Sequence, residues 1–281
     1  MVPPDATSWV LARPRAIFTH PRLGAILARA FDDAGDQALF ERARRVGYDV
    51  RTVERAMIAW RGPTTVAVGL GAFDTRRIEA LLWDRLLPPR ARQEMNGVLR
   101  VWGVLGRTPT ALAVWNACTL VAYAEGPDVV PMREVDRLLR PRDGEDPDAL
   151  VFWHGAGAPA VLRDRAPTAL LEAVYAVEIA ALQEEHGVRV RLHLDGGLPG
   201  DAEARLRRAL AALTEEPLGH AVGASQWLRD ERVRVTVGEA WLSAEVVVPW
   251  GALDALADVL RGRVGDAPGT RNFFDPPGGA W

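Results

Sequence analysis

The residues able to do chemistry in this chain are few, and their spacing limits what they can do. There are five histidines: His20, His154, His186, His193 and His220. None stands in an HExxH or HxH pair, so no element presents two imidazoles to one ion. His186 falls in a predicted turn and His193 on the strand after it, which does not meet ligand geometry. No metal and no cofactor is expected. His154-Gly155-Ala156-Gly157 is like the HGGG loop that forms an esterase oxyanion hole, but that loop works with a G-x-S-x-G elbow. The serines are Ser8, Ser225 and Ser243, and Gly223-Ala224-Ser225-Gln226-Trp227 lacks the second glycine. The simpler reading is a glycine loop leaving a strand. A hydrolase built on His154 is the weakest functional reading, and no catalytic residue is assigned. Cys118 lies in an apolar run and is expected to be a buried, inert thiol. Gly69-Leu70-Gly71 and Gly196-Gly197 fit turns rather than a dinucleotide fingerprint.

Basic residues exclude as much as they suggest. All 34 Lys+Arg residues are arginine. Without lysine there is no Schiff-base catalysis, no P-loop and no protein-kinase strand lysine. A net charge of −3 lacks the basic excess that nucleic-acid binding uses, so no nucleic acid is expected. One group of arginines keeps a functional reading. On a strand over 188–194, Val188, Val190, Leu192 and Leu194 point one way, and Arg189, Arg191 and His193 the other. A turn at 184–187 sets Glu178 opposite His193. Arg232 and Arg234 on a later strand extend the same face. Such a row is ordinarily a solvated sheet face with cross-strand ion pairs. Arginine also suits bidentate contact with a carboxylate or phosphate. Exposed aromatics join it as candidate contacts: Trp241 on the polar side of its hairpin, and Phe273, Phe274 and Trp281 near the end of the sequence.

The elements that must position these residues follow from periodicity. A helix after Pro21 carries Leu23, Ile26, Leu27, Ala30 and Phe31 on one stripe. Further helices are expected after Asp36, after Asp74 (ended by Pro88-Pro89), after Pro131, in the proline-bounded stretch that follows the strand at 148–153, after Asp201, near 218–229 and after Pro249. Strands are expected near 5–11, 52–60, 64–70, 98–105, 110–116, 118–124, 148–153, 172–183 and 187–195. The clearest hairpin joins 231–238 to 240–248. A Gly238-Glu239 turn would set Arg232 opposite Glu245, Arg234 opposite Ser243 and Thr236 opposite Trp241. Trp9, Trp102, Trp115 and Trp153 sit in apolar strand runs and are expected in the core.

Both halves carry the same order of elements, and Asp148-Ala149-Leu150-Val151-Phe152-Trp153 echoes Asp5-Ala6-Thr7-Ser8-Trp9-Val10. The fold class is therefore α+β, two similar halves, each an antiparallel sheet with helices packed on one face. The boundaries are 1–140 for the first repeat, 141–148 for an acidic proline-rich linker, 149–264 for the second repeat and 265–281 for a Gly/Pro-rich aromatic tail. Whether the two sheets merge is left open.

The opening Val2-Pro3-Pro4-Asp5-Ala6, the Gly71-Ala72-Phe73-Asp74 entry to a helix and the alternation of hairpins with Arg/Leu/Ala helices go together. The chain resembles predicted lipid-anchored envelope proteins of GC-rich Gram-negative bacteria, in which a (V/L)PxDA segment often follows the lipobox cysteine. The resemblance implies a domain in the periplasm or attached to the outer membrane, with its signal peptide and lipid anchor upstream. It implies no activity. No apolar stretch has the roughly 18–20 residues of a spanning helix. The favoured function is a non-enzymatic cell-envelope binding or assembly subunit that contacts a protein partner through Arg189, Arg191, Arg232, Arg234, Trp241, Phe273, Phe274 and Trp281. The alternative is a periplasmic carrier of an apolar ligand.

Overall fold

The computed structural model describes residues 8–31, 41, 44–61, 64–95, 97–116, 118–124, 148–156, 174–229 and 231–266. Strand β1 (Ser8–Ala12) leads into α1 (Pro14–Thr19) and α2 (Pro21–Phe31). The hairpin β2 (Tyr48–Arg61) and β3 (Thr64–Phe73) precedes α3 (Thr75–Arg85). A meander follows: β4 (Leu86–Met95), β5 (Val98–Leu105), β6 (Thr108–Asn116) and β7 (Thr119–Ala124). The second half runs β8 (Ala149–Ala156), β9 (Val174–Glu184), β10 (Gly187–Gly196), then α4 (Ala202–Glu215), α5 (Pro217–Ala221) and α6 (Ala224–Trp227). It closes with β11 (Arg234–Val237), β12 (Trp241–Pro249) and α7 (Trp250–Asp266).

The twelve strands among the described residues form one sheet in the order β11-β12-β10-β9-β8-β1-β2-β3-β7-β6-β5-β4. Every neighbouring pair is antiparallel. The two halves are therefore fused edge to edge where β1 pairs with β8, Trp9 facing His154 and Leu11 facing Phe152. Outward from that seam the orders mirror each other: β8-β9-β10-β12-β11 on one side and β1-β2-β3-β7-β6 on the other. This α+β architecture of two similar halves is the one the alternating pattern predicts. Fusion removes one open edge from each half, and an unpaired edge is a liability for any sheet.

One face carries helices. Ala202 and Leu206 of α4 bury against Val177, Leu194, Leu242 and Ala244. Ile17 of α1 and Leu23 of α2 pack with Leu150 and Val188, and Ile26 and Ala30 of α2 meet Ala257 of α7. Arg22 and Arg29 both reach Asp254, fastening α2 to α7. The opposite face has an apolar centre made of strand residues, among them Trp9, Leu11, Met57, Ala59, Val66, Val68, Phe152 and Ala180.

Some expectations need correction. Pro88-Pro89 does not simply follow the end of α3; it lies within β4, where proline is tolerated because β4 is the last strand of the sheet and one side needs no donor. The region near 218–229 is two short helices rather than one. Trp102 is exposed at 39% instead of buried, while Trp9 at 4% is core as expected. Cys118 is exposed in the turn between β6 and β7, not buried. The helices expected after Asp36, after Pro131 and after the 148–153 strand fall wholly or mostly outside the described residues. So do the 141–147 linker, the Trp115 side chain and most of the 265–281 tail, with Phe273, Phe274 and Trp281.

Candidate functional site

Cross-strand partners in an antiparallel sheet share a face, so register alone places the site. One row runs Trp9, His154, Glu178, His193, Ser243 and Thr236 across β1, β8, β9, β10, β12 and β11. The next row runs Leu11, Phe152, Ala180, Arg191, Glu245 and Arg234 across the same strands. A third pair sets Asp195 opposite Trp241. The face opposite the described helices is thus apolar at the centre and turns polar toward β10, β12 and β11.

At that polar end lies an open recess of about 470 Å³ lined by Glu178, Arg191, His193, Arg234, Thr236, Trp241, Ser243 and Glu245. His193 Nε2 lies 3.2 Å from Asp195 Oδ1, and its ring stacks on Trp241 with centroids 5.6 Å apart. His154 Nδ1 lies 3.2 Å from Glu178 Oε1, and its other neighbour is Trp9, stacked at 5.7 Å. Two histidine–carboxylate pairs therefore stand side by side, one against the apolar centre and one against the recess.

Trp241 is held rather than loose. A Cβ on Gly238 would sit 2.2 Å from Trp241 Nε1 and 2.3 Å from Cε2, so the indole lies where only glycine leaves room. Gly238 N donates to Trp241 O at 2.8 Å, which makes Glu239 and Ala240 the two loop residues. The expected turn was one residue earlier. Gly238 is not among the glycines with positive φ; its role is to admit the indole. The later turn slides the register by two, so Arg234 faces Glu245 and Thr236 faces Ser243. An even slip keeps every side chain on its face, which is why the polar and apolar sides were still assigned correctly.

The structure gathers some of the sequence-predicted residues and separates others. Arg191, Arg234 and Trp241 meet at the recess. Arg189 shares the face one pair further along β10, opposite Leu182 and Val247, and is paired with Glu184 at 2.7 Å. Arg232 is a correction: it precedes β11 in a turn, its N–H donating to Arg229 O at 2.9 Å, because the strand starts only at Arg234. His193 does face Glu178, as the turn at 184–187 required. The role of His154 as the Glu178 partner was missed. Its strand is separated from β9 by residues 157–173, and no sequence signal sets that register.

Elsewhere, one charge cluster is strongly perturbed. Arg51 Nε donates to Asp49 Oδ1 at 2.9 Å, and Arg44 reaches Asp49 Oδ2 at 3.3 Å. The Arg51 guanidinium, with help from Arg44, holds the Asp49 carboxyl down at about 2. Burial raises the neighbouring Tyr48 phenol above its ordinary value. This cluster ties the start of β2 to the helical turn before it, a structural duty. Among the described residues no group of three or more His, Cys, Asp or Glu side chains is arranged to hold a metal ion. No helix among them is long and apolar enough to cross a membrane.

The fold is similar to that of TP0453 in several crystal forms. Form III superposes with a TM-score of 0.53 at 11% identity, over 92% of this chain and 94% of that one. Form I gives 0.50 at 11% identity over 91% and 94%, and form IV 0.50 at 11% over 91% and 93%. The likeness is one of fold, spanning both halves. No protein-family model and no curated protein matches the sequence.

Proposed function

We propose that this chain is a non-enzymatic binding or assembly subunit of the bacterial cell envelope, which engages a partner through the recess formed by β10, β11 and β12. The observation that carries the reading is the convergence of Arg191, Arg234 and Trp241, from three strands, on one open surface. Guanidinium groups and a fixed indole are the residue types that dominate binding energy at interfaces. The placement in the envelope, facing the periplasm or attached to the outer membrane, rests on the resemblance of the opening segment to lipid-anchored proteins. A carrier of an apolar ligand needs an enclosed apolar cavity; this recess is open and lined mainly by polar side chains. The partner anticipated is a protein or a protein-bearing assembly that presents a small polar group to the recess.

The test is comparative capture from the native cell. Wild type and an Arg191→Glu/Trp241→Ala double variant are expressed at equal levels and recovered with the membrane fraction. The reading predicts one partner retained by wild type and lost by the double variant. Equal recovery of every companion by both proteins, or wild type found outside the envelope fraction, contradicts it.

A further inference from the structure

Resting on that binding reading, we propose that the group received by the recess is a neutral saccharide ring, carried at the end of or within a longer glycan of the partner. Charge is the first argument. The recess is lined by two guanidinium groups, Arg191 and Arg234, and two carboxylates, Glu178 and Glu245. The signs cancel, so a ligand with a net charge gains little from the surface as a whole. The second argument is hydrogen-bond format. Guanidinium and carboxylate groups are planar and offer paired donors or paired acceptors, which match two adjacent hydroxyls of a sugar. Ser243 and Thr236 add hydroxyls that both donate and accept. Arg234, Glu245 and Arg191 stand in one row across three neighbouring strands, so donor, acceptor and donor alternate at the strand spacing of roughly 4.8 Å.

The indole is the third argument. Trp241 is 36% exposed, packed over Gly238 and stacked on His193. The exposed part of the indole offers apolar contact to the C–H groups of a pyranose, and that contact needs no charge. Its position is already fixed, so little side-chain entropy is lost on binding. The volume, about 470 Å³, is that of a small-ligand site. Because the recess is open, neighbouring sugars of a longer chain can leave it on either side. Openness also limits affinity, and a single ring is expected to bind with a dissociation constant on the order of 1 mM.

The experiment titrates the whole chain with cellobiose and N,N′-diacetylchitobiose, with digalacturonate as the anionic comparison and sorbitol as the acyclic one. Binding is followed by ligand-observed NMR. The proposal predicts saturable binding of at least one neutral disaccharide, none of sorbitol, and little dependence on salt. Trp241→Ala should weaken that binding by about tenfold and Arg191→Gln by a similar factor. Arg261→Gln, on α7 and paired there with Asp258, should leave it unchanged. Thermal melts establish that each variant is folded, and Arg234→Gln gives a second polar variant should Arg191→Gln fail to fold. Binding of digalacturonate alone, lost in salt, overturns the proposal in favour of an anion site. Failure of wild type to bind any neutral disaccharide overturns it outright. If the captured partner still depends on Trp241 in that case, the binding-subunit reading stands and only the saccharide is rejected.

Discussion

Replacing Gly238 by alanine tests whether the recess is built around a fixed indole. The backbone of Gly238 is not in the left-handed region, so alanine brings no dihedral strain there. The new methyl would lie 2.2 Å from Trp241 Nε1, and ordinary contact begins near 3.4 Å. The indole must therefore withdraw by about 1.2 Å or swing outward. Withdrawal breaks the stack on His193, an aromatic contact worth about 0.5–1.5 kcal/mol. Removing a glycine from the unfolded chain returns about 0.4–1 kcal/mol. The two nearly cancel, so stability should change by less than about 1 kcal/mol while the geometry of the recess changes. The assay pairs a thermal melt with NMR of the His193 ring protons, which feel the ring current of Trp241 at the 5.6 Å centroid separation. The expected result is an almost unchanged melting temperature with a clear shift of those protons and loss of disaccharide binding. Unshifted His193 protons in a folded Gly238→Ala variant would refute the reasoning.

Asp49→Asn removes a carboxylate that Arg51 and Arg44 hold at about 2 instead of 3.8. A depressed carboxyl contributes stability above its unfolded value and loses it as pH falls through about 2. The full shift corresponds to about 2.4 kcal/mol, and solvent screening of this partly open pair leaves about 1 kcal/mol. Urea titrations should show that loss at pH 7, and a shallower fall in stability between about pH 4 and pH 2 than in wild type. Leu194→Ala empties a site that is 1% exposed beneath α4, and should cost about 3 kcal/mol by denaturant unfolding. Gly187→Ala would bring a Cβ within 2.0 Å of Val248 O, a rigid backbone atom. It should lower stability by more than Gly238→Ala, measured by the same melts.

The fold was legible where one residue pattern settled it. The alternation over 188–194 and the tight turn before it placed His193 opposite Glu178 with no further information. The stripe of Leu23, Ile26 and Ala30 gave α2, because helical spacing admits one buried face. Edge and turn chemistry was harder to read. Pro88-Pro89 looks like a helix stop, and only the position of β4 at the rim of the sheet lets proline serve as strand. Gly238 suggested a turn glycine, whereas its missing Cβ is used by the Trp241 ring. Long-range pairing was not legible at all. The β1–β8 seam and the β8–β9 register join segments far apart in sequence, and their choice depends on which faces and edges are already covered. For the same reason Arg191, Arg234 and Trp241 could be put on one kind of face but not into one recess, and the partnership of His154 with Glu178 was invisible.

The most direct measurement places a photo-activatable side chain at Thr236, exposed in the lining of the recess beside the intact Trp241, and, as comparison, at Leu213, which is exposed on α4 of the helical face. Both proteins are irradiated in the native envelope. The account predicts a discrete adduct from position 236 that disappears when Arg191→Glu is added, and none from position 213. The account is contradicted if position 236 gives no adduct, or gives the same adducts as position 213.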